Sequence, residues 1–559
     1  FQFAREVYDG NFPPGDIFQN SPEGQSNIYP WLPPLLLASL IWVFKDVSVA
    51  YLAANFVFPV ILFLLFYLLG YLVFERNRLL AVFFGLVGTL TPSALLADRL
   101  FTNLDVFLNT TKNFYPLVKT NLASLFLARV DYPLLTLPLY LVALFFLFAF
   151  WQAPNKKRGV LAGFFAGLLF YTYFHKWVYW VVVLGILFFL SVVFSKGDKV
   201  RMKSFMYLIV TTSLTSIPYF VNYFTFKKLV GSDDLIERLA IEEGRFINFS
   251  VWPQYLLYMS LAIIVYLFFY KKDRQKAILY WSFLVAAFCI WNIQIITGFV
   301  PHPDHWPRAI NPVIFLMAFD VFFNLYSYLS TQSKKIEGLL VVFLCLLMVS
   351  MVAKKVVNAI YFIYPSQEIV SKYTLPHDIL DSFFWLEKTD PGSGVISPSF
   401  LSSIYLSGLT SIRPYLPWGG VTPLSNKDLE SVFLTANKLF GVSSDILKKR
   451  LGNGVGLLCK EYCSKPYVQY NLYGTRLSLY QLYFQDYGHG LDIPSERISY
   501  LVDLYGNLDA DWSMTGSGWA YVGPWENQFY PKMNASNNLP LYYKNSSVKL
   551  YKILSKDER

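Results

Sequence analysis

The sequence predicts an α-helical polytopic membrane protein, with about ten transmembrane helices and a C-terminal soluble α+β domain. Three observations predict it. Of 559 residues, 55% are hydrophobic and only 15% are charged, where a soluble domain carries about 25% charged residues. Long apolar segments follow one another with little between them. Short loops rich in Lys and Arg alternate with longer, charge-balanced loops. A chain with 51 Phe and 40 Tyr cannot hide its apolar side chains in one water-bounded core, so lipid must solvate many of them.

Residues 1–48 are expected to form an outer first loop with an interfacial helix. Residues 1–30 are rich in Pro, Gly, Asn and Asp, a composition of irregular backbone. The chain opens on Phe1 in polar, loop-like sequence, and the expectation is a sequence cut inside a longer protein. Tyr29-Pro30-Trp31-Leu32-Pro33-Pro34 then begins an apolar stretch that ends at Phe44. About ten residues are too few to cross about 30 Å of hydrocarbon at 1.5 Å per residue. The stretch 33–44 therefore reads as a helix lying at the interface.

Residues 49–357 are the expected transmembrane domain. Apolar segments lie at approximately 49–74, 79–97, 133–151, 159–175, 177–194, 206–226, 252–270, 277–299, 309–329 and 336–357. Each has about the length that a span requires. Pro92, Pro138 and Pro218 fall within or at the ends of such segments, which membrane helices tolerate.

The loops predict orientation. Loops 75–78, 152–158, 195–205, 271–276 and 330–335 together hold fifteen basic residues against three acids, Glu75, Asp198 and Asp273. These are every second loop. The alternate loop 227–251 holds four basic and five acidic residues. Basic short loops stay in the cytoplasm. Residues 1–48, the loops 98–132, 227–251 and 300–308, and the tail are then all on the outer side. The net charge of +10 is explained by these loops, so nucleic acid is not an expected partner.

Residues 358–559 change character and are expected to form the extracytoplasmic α+β domain. Turn clusters such as Asp390-Pro-Gly-Ser-Gly394 separate short alternating runs, for example Ser547 to Ile553. Helical stretches are expected near 378–388 and 426–450. Cys459 and Cys463 lie in this tail. Two cysteines alone are too few for a zinc site, and both a disulfide and two free thiols remain open.

Ionisable groups bordering a membrane are costly and so are functional candidates. The outer segment carries Arg5, Glu6, Asp9, Asp16 and Glu23. His175 and Lys176 lie between two apolar runs joined by almost no loop, and an interfacial turn with snorkelling heads is the plain alternative. Pro301 to Arg308 gathers His302, Asp304, His305 and Arg308. That set suits a divalent ion or a phosphate, although its prolines argue against a helical His pair. Asp320 lies within an apolar run and is expected to face protein or hydrated space. Walker, dinucleotide-binding, zinc-protease and serine-hydrolase motifs are lacking. Paired outer-side acids remain the best catalytic material.

Several short segments share a pattern. Phe3-Ala-Arg-Glu-Val-Tyr-Asp-Gly10 is followed by Asn11-Phe-Pro-Pro14, and then by Tyr29 to Leu37. Phe174-His175-Lys176, Arg308 with Asn311-Pro312, Tyr521-Val-Gly-Pro-Trp-Glu526 and Val548 to Lys552 follow along the chain. With the many helices and the outer domain, this pattern resembles the GT-C superfamily of polytopic membrane glycosyltransferases, in its uncharacterised bacterial and archaeal branch with a C-terminal outer domain. The resemblance is architectural and covers most of the chain. It implies an inverting transfer of a sugar from a polyprenyl-phosphate carrier to a saccharide, lipid or protein acceptor, at the outer face of the plasma membrane. It implies that Asp9 or Asp16 acts as general base or positions the acceptor. Arg308, His305, His302, His175 and Lys176 would then bind substrate or its leaving phosphate. The family's acidic motif stands close after its first helix, and this chain begins where that motif should be. The first family helix, and with it the key aspartate, is therefore expected upstream of Phe1. The cofactor is unknown, a divalent cation being one candidate.

Two other classes compete with a transferase. A transporter for a lipid-linked saccharide would favour polar groups at mid-membrane and inverted repeats, and neither is seen here. A non-catalytic membrane protein with an outer binding domain is the other alternative. The orientation is directly testable. A single cysteine at Lys156, Lys199 or Arg274 is expected to be shielded from an impermeant thiol reagent outside intact cells. One at Ala240 or Asp390 is expected to react. Labelling at 199 but not at 390 would overturn this topology.

Overall fold

The computed structural model describes residues 2–18, 27–116, 133–194, 198–239, 241–301, 305–363, 374–452, 493–527 and 539–554. The chain is mostly helical. A short helix α1 (Gln2–Tyr8) precedes α2 (Leu32–Phe44). The bundle follows: α3 (Val47–Val73), α4 (Arg78–Leu90), α5 (Ala97–Thr102), α6 (Leu104–Thr111), α7 (Thr136–Gln152), α8 (Lys156–Leu168), α9 (Phe174–Phe194) and α10 (Lys199–Phe226). It continues with α11 (Ser232–Arg238), α12 (Trp252–Val265), α13 (Arg274–Ile290), α14 (Gln294–Thr297), α15 (Pro307–Gln332) and α16 (Lys334–Val357).

Among the described residues, six helical segments are long and apolar enough to cross a membrane: Val47–Val73, Phe174–Phe194, Lys199–Phe226, Phe249–Tyr270, Pro307–Gln332 and Lys334–Tyr361. The other four expected spans form shorter helices, of 13 residues in α4 and α8 and 17 in α7 and α13. Local chemistry explains two of the stops. Thr91 is extended and caps the turn that begins at Pro92, which has no N–H to continue α4. Thr172 leaves helical geometry after Tyr171 and separates α8 from α9. The stretch 33–44, read as a helix too short to span, forms α2, 13 residues long.

Packing inside the bundle relies on close approach. Gly159, Gly163 and Gly167 recur every fourth residue on α8 and face α10. A Cβ at Gly159 would lie 2.4 Å from the Ser204 carbonyl oxygen, and one at Gly163 would lie 2.4 Å from that of Leu208. Small residues are what allow helix backbones to meet where lipid supplies no hydrophobic drive. Elsewhere aromatic rings interlock. Phe84 stacks on Phe315 at 4.9 Å and meets Phe66 edge-on at 5.4 Å. Asp320 is fully buried, as its place in an apolar run suggested, and is satisfied by Lys276 at 3.0 Å and the Tyr280 hydroxyl at 2.6 Å.

The basic loops gather at one end of the bundle. Trp151 donates to the Gln275 carbonyl at 2.7 Å, and Arg201 donates to the Gln275 side chain at 2.8 Å. Lys276 reaches the Val73 carbonyl at 3.1 Å, and Lys272 lies 3.6 Å from Glu75. The opposite end carries the N-terminal segment, the loop containing α11, and the tail.

The tail contains α17 (His377–Thr389), α18 (Phe400–Leu409), α19 (Asn426–Leu439) and α20 (Ser444–Leu451); α17, α19 and α20 fall on the helical stretches expected there, and α18 is an addition to them. In the loops of the bundle, β1 (Glu242–Glu243) pairs with β2 (Phe299–Val300). The tail strands are β3 (Gly394–Ile396), β4 (Arg413–Pro414), β5 (Trp519–Val522), β6 (Leu541–Lys544) and β7 (Lys549–Lys552). They form one mixed sheet in the order β4-β3-β5-β7-β6. β3 is parallel to β4 and β5, and β7 is antiparallel to β5 and β6. The buried Glu526 accepts from Ser397 at 2.6 Å and from the Gly523 N–H at 2.8 Å. It thereby ties the end of β5 to the loop after β3.

The glycine stripe yields a test. Gly163→Leu must drive a side chain into a backbone carbonyl, and overpacking of this kind costs about 1–3 kcal/mol or more. A Cβ at Gly185 of α9 would meet nothing within 4 Å. Gly163→Leu is expected to lower the thermal midpoint in detergent sharply, and Gly185→Leu to leave it nearly unchanged. Equal midpoints would remove close approach as the basis of this packing.

Candidate functional site

At the tail end of the bundle, polar side chains gather in two places. The first joins the N-terminal segment to the tail. α1 lies against α18, where Gln2 donates to the Ile404 carbonyl at 3.0 Å and the Ser407 hydroxyl at 2.8 Å. Arg5 binds Asp9 at 2.9 Å and Glu387 at 2.5 Å. Arg413 of β4 binds Glu6 at 3.0 Å. Asp9 is held here by its own helix, and burial raises its pKa against the pull of Arg5.

Asp16 is buried. It accepts from the Thr422 hydroxyl at 2.5 Å and, in an Asx turn, from the Phe18 N–H at 3.1 Å. Arg413 also donates to its backbone carbonyl at 3.2 Å. Burial pushes the Asp16 carboxyl up to about 6, with the Thr422 hydroxyl opposing the shift. Both acids singled out as catalytic candidates thus sit in contacts between the first segment and the tail.

The second place is basic and aromatic. The break at Thr172 lets α9 start with Phe174, so His175 and Lys176 occupy its first turn. Tyr173 hydrogen-bonds His305 through its hydroxyl. Arg308, in the first turn of α15, donates to the same hydroxyl at 3.0 Å. The buried His175 ring lies 4.5 Å from the Trp306 ring and 5.3 Å from the His305 ring. Lys176 has none of its surface exposed and donates to Thr136 of α7 at 2.9 Å. Tyr140, one turn along α7, donates to the Ala309 carbonyl at 2.7 Å and so locks α7 to α15. Four of the predicted binding residues, His175, Lys176, His305 and Arg308, are therefore brought together from segments far apart in sequence. His302 lies outside the described residues, as do Cys459 and Cys463.

An aromatic run connects the two places. Phe12 meets Trp31 at 5.9 Å, and Trp31 meets Tyr171 at 5.4 Å. Tyr171 stands two residues before Tyr173, so Phe12 and Trp31 border the basic cluster. The pairing of β1 with β2 and the bond from Arg245 to the Ile295 carbonyl, at 2.6 Å, hold the loop that follows α11 against α14 and β2.

Two residues missed by sequence reasoning matter here. Asp98, at the start of α5, is 1% exposed. Asn311 of α15 grips it twice: the Asn311 amide donates to Asp98 Oδ1 at 2.6 Å, and the Asp98 N–H donates back at 3.1 Å. Its Oδ2 makes no hydrogen bond that meets ordinary geometry among the described residues, with the Gln254 side chain beside it. Asn311 is one turn from Arg308. A signal exists in the sequence, since Asp98 is the first residue after the apolar run 79–97. The other is Arg238, also 1% exposed, which docks α11 on the tail. Nothing in its balanced loop marked it out.

Among the described residues, no three His, Cys, Asp or Glu side chains come together to hold a metal ion. His302 and Asp304 lie outside that set. Compared with known proteins, the chain matches no family model and no curated protein.

The Asp16 carboxyl generates a pH prediction. Its folded pKa of about 6 lies above its ordinary value near 3.8. The folded state therefore binds the extra proton between about pH 4 and 6, and the carboxylate takes stability away as pH rises through that window. Asp16→Asn removes this dependence. Its thermal midpoint, relative to the parent, is expected to improve from pH 4 to pH 6.5 and then stay level. Parallel curves for the two proteins would show that the Asp16 carboxylate carries no such penalty.

Proposed function

We propose that this chain is a multi-pass plasma-membrane glycosyltransferase. In this reading it moves a sugar from a polyprenyl-phosphate carrier to an acceptor hydroxyl, with inversion. The full set of about ten crossings belongs to the same reading, with the basic loops in the cytoplasm and the tail outside. The observation that carries it is the convergence of Lys176, His175, His305 and Arg308 at the tail-side end of the bundle, with the buried acid Asp98 held by Asn311, one turn along α15 from Arg308.

The chemistry needs two parts at that place. A carboxylate takes the proton of the acceptor hydroxyl as its oxygen attacks the anomeric carbon. The bond from that carbon to the phosphate oxygen breaks on the opposite face, and the carrier phosphate leaves with the electron pair. Fixed cations stabilise the charge that develops on this phosphate. Arg308 suits that task through its planar fork. A lipid carrier brings its phosphate to headgroup depth, while the acceptor arrives from water, and the seam between helix ends and tail is where both can meet. For the base, Asp98 is better placed than Asp9 or Asp16, because those two are engaged by Arg5 and Thr422. That engagement also favours the rival reading, a non-catalytic protein whose outer domain binds a ligand.

Turnover of a labelled polyprenyl-phosphate sugar tests the proposal. Arg308→Ala is expected to reduce the rate by about 10²-fold or more, and Arg308→Lys to restore it only in part. Asp98→Asn is expected to abolish transfer while carrier binding persists. Full activity in Arg308→Ala would leave that residue as a structural clamp on Tyr173. Loss in Asp9→Asn or Asp16→Asn with full activity in Asp98→Asn would move the base to the first segment.

A further inference from the structure

A different lysine points to a second lipid contact. Lys354 lies near the tail-side end of α16. None of its surface is exposed, and its Nζ makes no hydrogen bond among the described residues. Yet little of α16 is enclosed by the rest of the protein, so the ammonium lies close to the boundary of the bundle. One turn back, Ser350 donates to the Phe114 carbonyl and ties α16 to the turn Lys112–Phe114, which follows α6. Asn113 in that turn is buried, and its Oδ1 accepts nothing among the described residues.

A buried cation that the protein leaves uncompensated is costly. Such a position is explained if an anion arrives to compensate it. The flanking surfaces say how it arrives. α16 turns Val349, Val352 and Val356 outward, and α6 turns Leu104, Phe107 and Leu108 outward. Hydrocarbon is the natural solvent for both faces. A free ion would have to cross this apolar surface. A lipid headgroup reaches the same depth with its own chain lying along it.

We infer that Lys354 anchors the phosphate headgroup of a membrane lipid between α16 and the turn after α6. The hydrocarbon chain of that lipid lies against the outward apolar faces of the two helices. This site is separate from the Arg308 cluster, and it does not depend on the transferase reading.

Native mass spectrometry of the purified full chain tests it, with phosphatidylglycerol, a polyprenyl phosphate and inorganic phosphate as probes. At least one of the two lipids is expected to bind, and Lys354→Met to weaken it tenfold or more. Lys354→Arg is expected to retain most of the binding, and Lys355→Met to lose less than threefold. Preference for phosphatidylglycerol identifies a resident phospholipid, and preference for the polyprenyl phosphate identifies a carrier; either supports the site. In lipid-free detergent, Lys354→Met is also expected to raise the thermal midpoint, because an uncompensated charge is gone. Lys354→Gln serves the same measurements if the methionine variant does not fold. Lipid binding equal to the parent in these variants would overturn the inference. So would a lowered lipid-free midpoint, which would mean that protein or water already holds the ammonium, or inorganic phosphate binding as tightly as either lipid.

Discussion

The Arg238 guanidinium is buried between the membrane bundle and the tail, and it donates to the carbonyls of Gly419 at 2.6 Å, Thr422 at 2.7 Å and Leu424 at 2.8 Å, and to the Asn426 side chain at 2.7 Å. Each contact serves both partners. A cation removed from water needs its donors satisfied, and carbonyls in a tight buried loop need donors that their own backbone does not supply. Burial lowers the Arg238 pKa to about 10, so the side chain stays charged at neutral pH. The approach is close enough that a Cβ at Gly231 would lie 2.0 Å from the Pro423 carbonyl oxygen. Asp234 completes the joint by accepting from the Asn426 N–H at 2.7 Å. With the tail fixed on α11 in this way, the N-terminal segment has a surface to fold against. Asp16 and Tyr29 reach the same loop, at Thr422 and Gly420.

Within the bundle a different solvent sets the rules. Helices α3 and α16 present apolar faces outward and bury little of themselves, whereas α15 is mostly enclosed. The enclosed helices need reasons to touch that lipid cannot provide. Backbone contact at Gly159 and Gly163, ring packing around Phe84, and the closed set of Lys276, Asp320 and Tyr280 supply them. The four shorter helices fit this division. A helix shielded by protein can end early, because neighbouring groups satisfy its free carbonyls and amides. Where α8 gives way, Tyr171 donates to the Thr215 carbonyl of α10 at 2.6 Å and ties that end to its neighbour.

What was legible in the sequence follows from these two solvents. Apolar runs and basic loops are one-dimensional signals, so the helices and the grouping of loops 75–78, 152–158 and 271–276 at one end could be anticipated. Helix lengths could not, because Pro92 and Thr172 act through local backbone geometry that composition averages away. His175, Lys176, His305 and Arg308 announced themselves as charges beside apolar runs. Their meeting through Tyr173, Trp306 and Thr136 depends on the packing of α7, α9 and α15, which no local pattern encodes. Arg238 and Asp98 were hidden for opposite reasons. One sat among other charges in a loop, and the other sat one residue beyond an apolar run. The tail's parallel pairing of β3 with β4 and β5 was equally invisible, since short strands carry no record of their partners.

The division of labour among the acids follows from where each side chain finds its donors. Asp9 and Asp16 are short-range partners of Arg5 and of the Phe18 N–H, and both lie in sequence that must lie against the tail. An acid recruited to hold an interface has its oxygens occupied, and releasing it for proton transfer would loosen the joint that Arg238 closes. Asp98 faces no such conflict. Asn311 fixes one oxygen and the backbone N–H, which sets the carboxyl's direction while leaving the second oxygen outside that grip. Because Asn311 and Arg308 share one face of one rigid helix, the acid and the cation keep a constant spacing whatever the tail does. On the proposed reading, a site built this way separates its chemistry from its docking. In the proposed transferase, the tail and first segment can then vary to suit an acceptor without disturbing Asp98, Asn311 and Arg308.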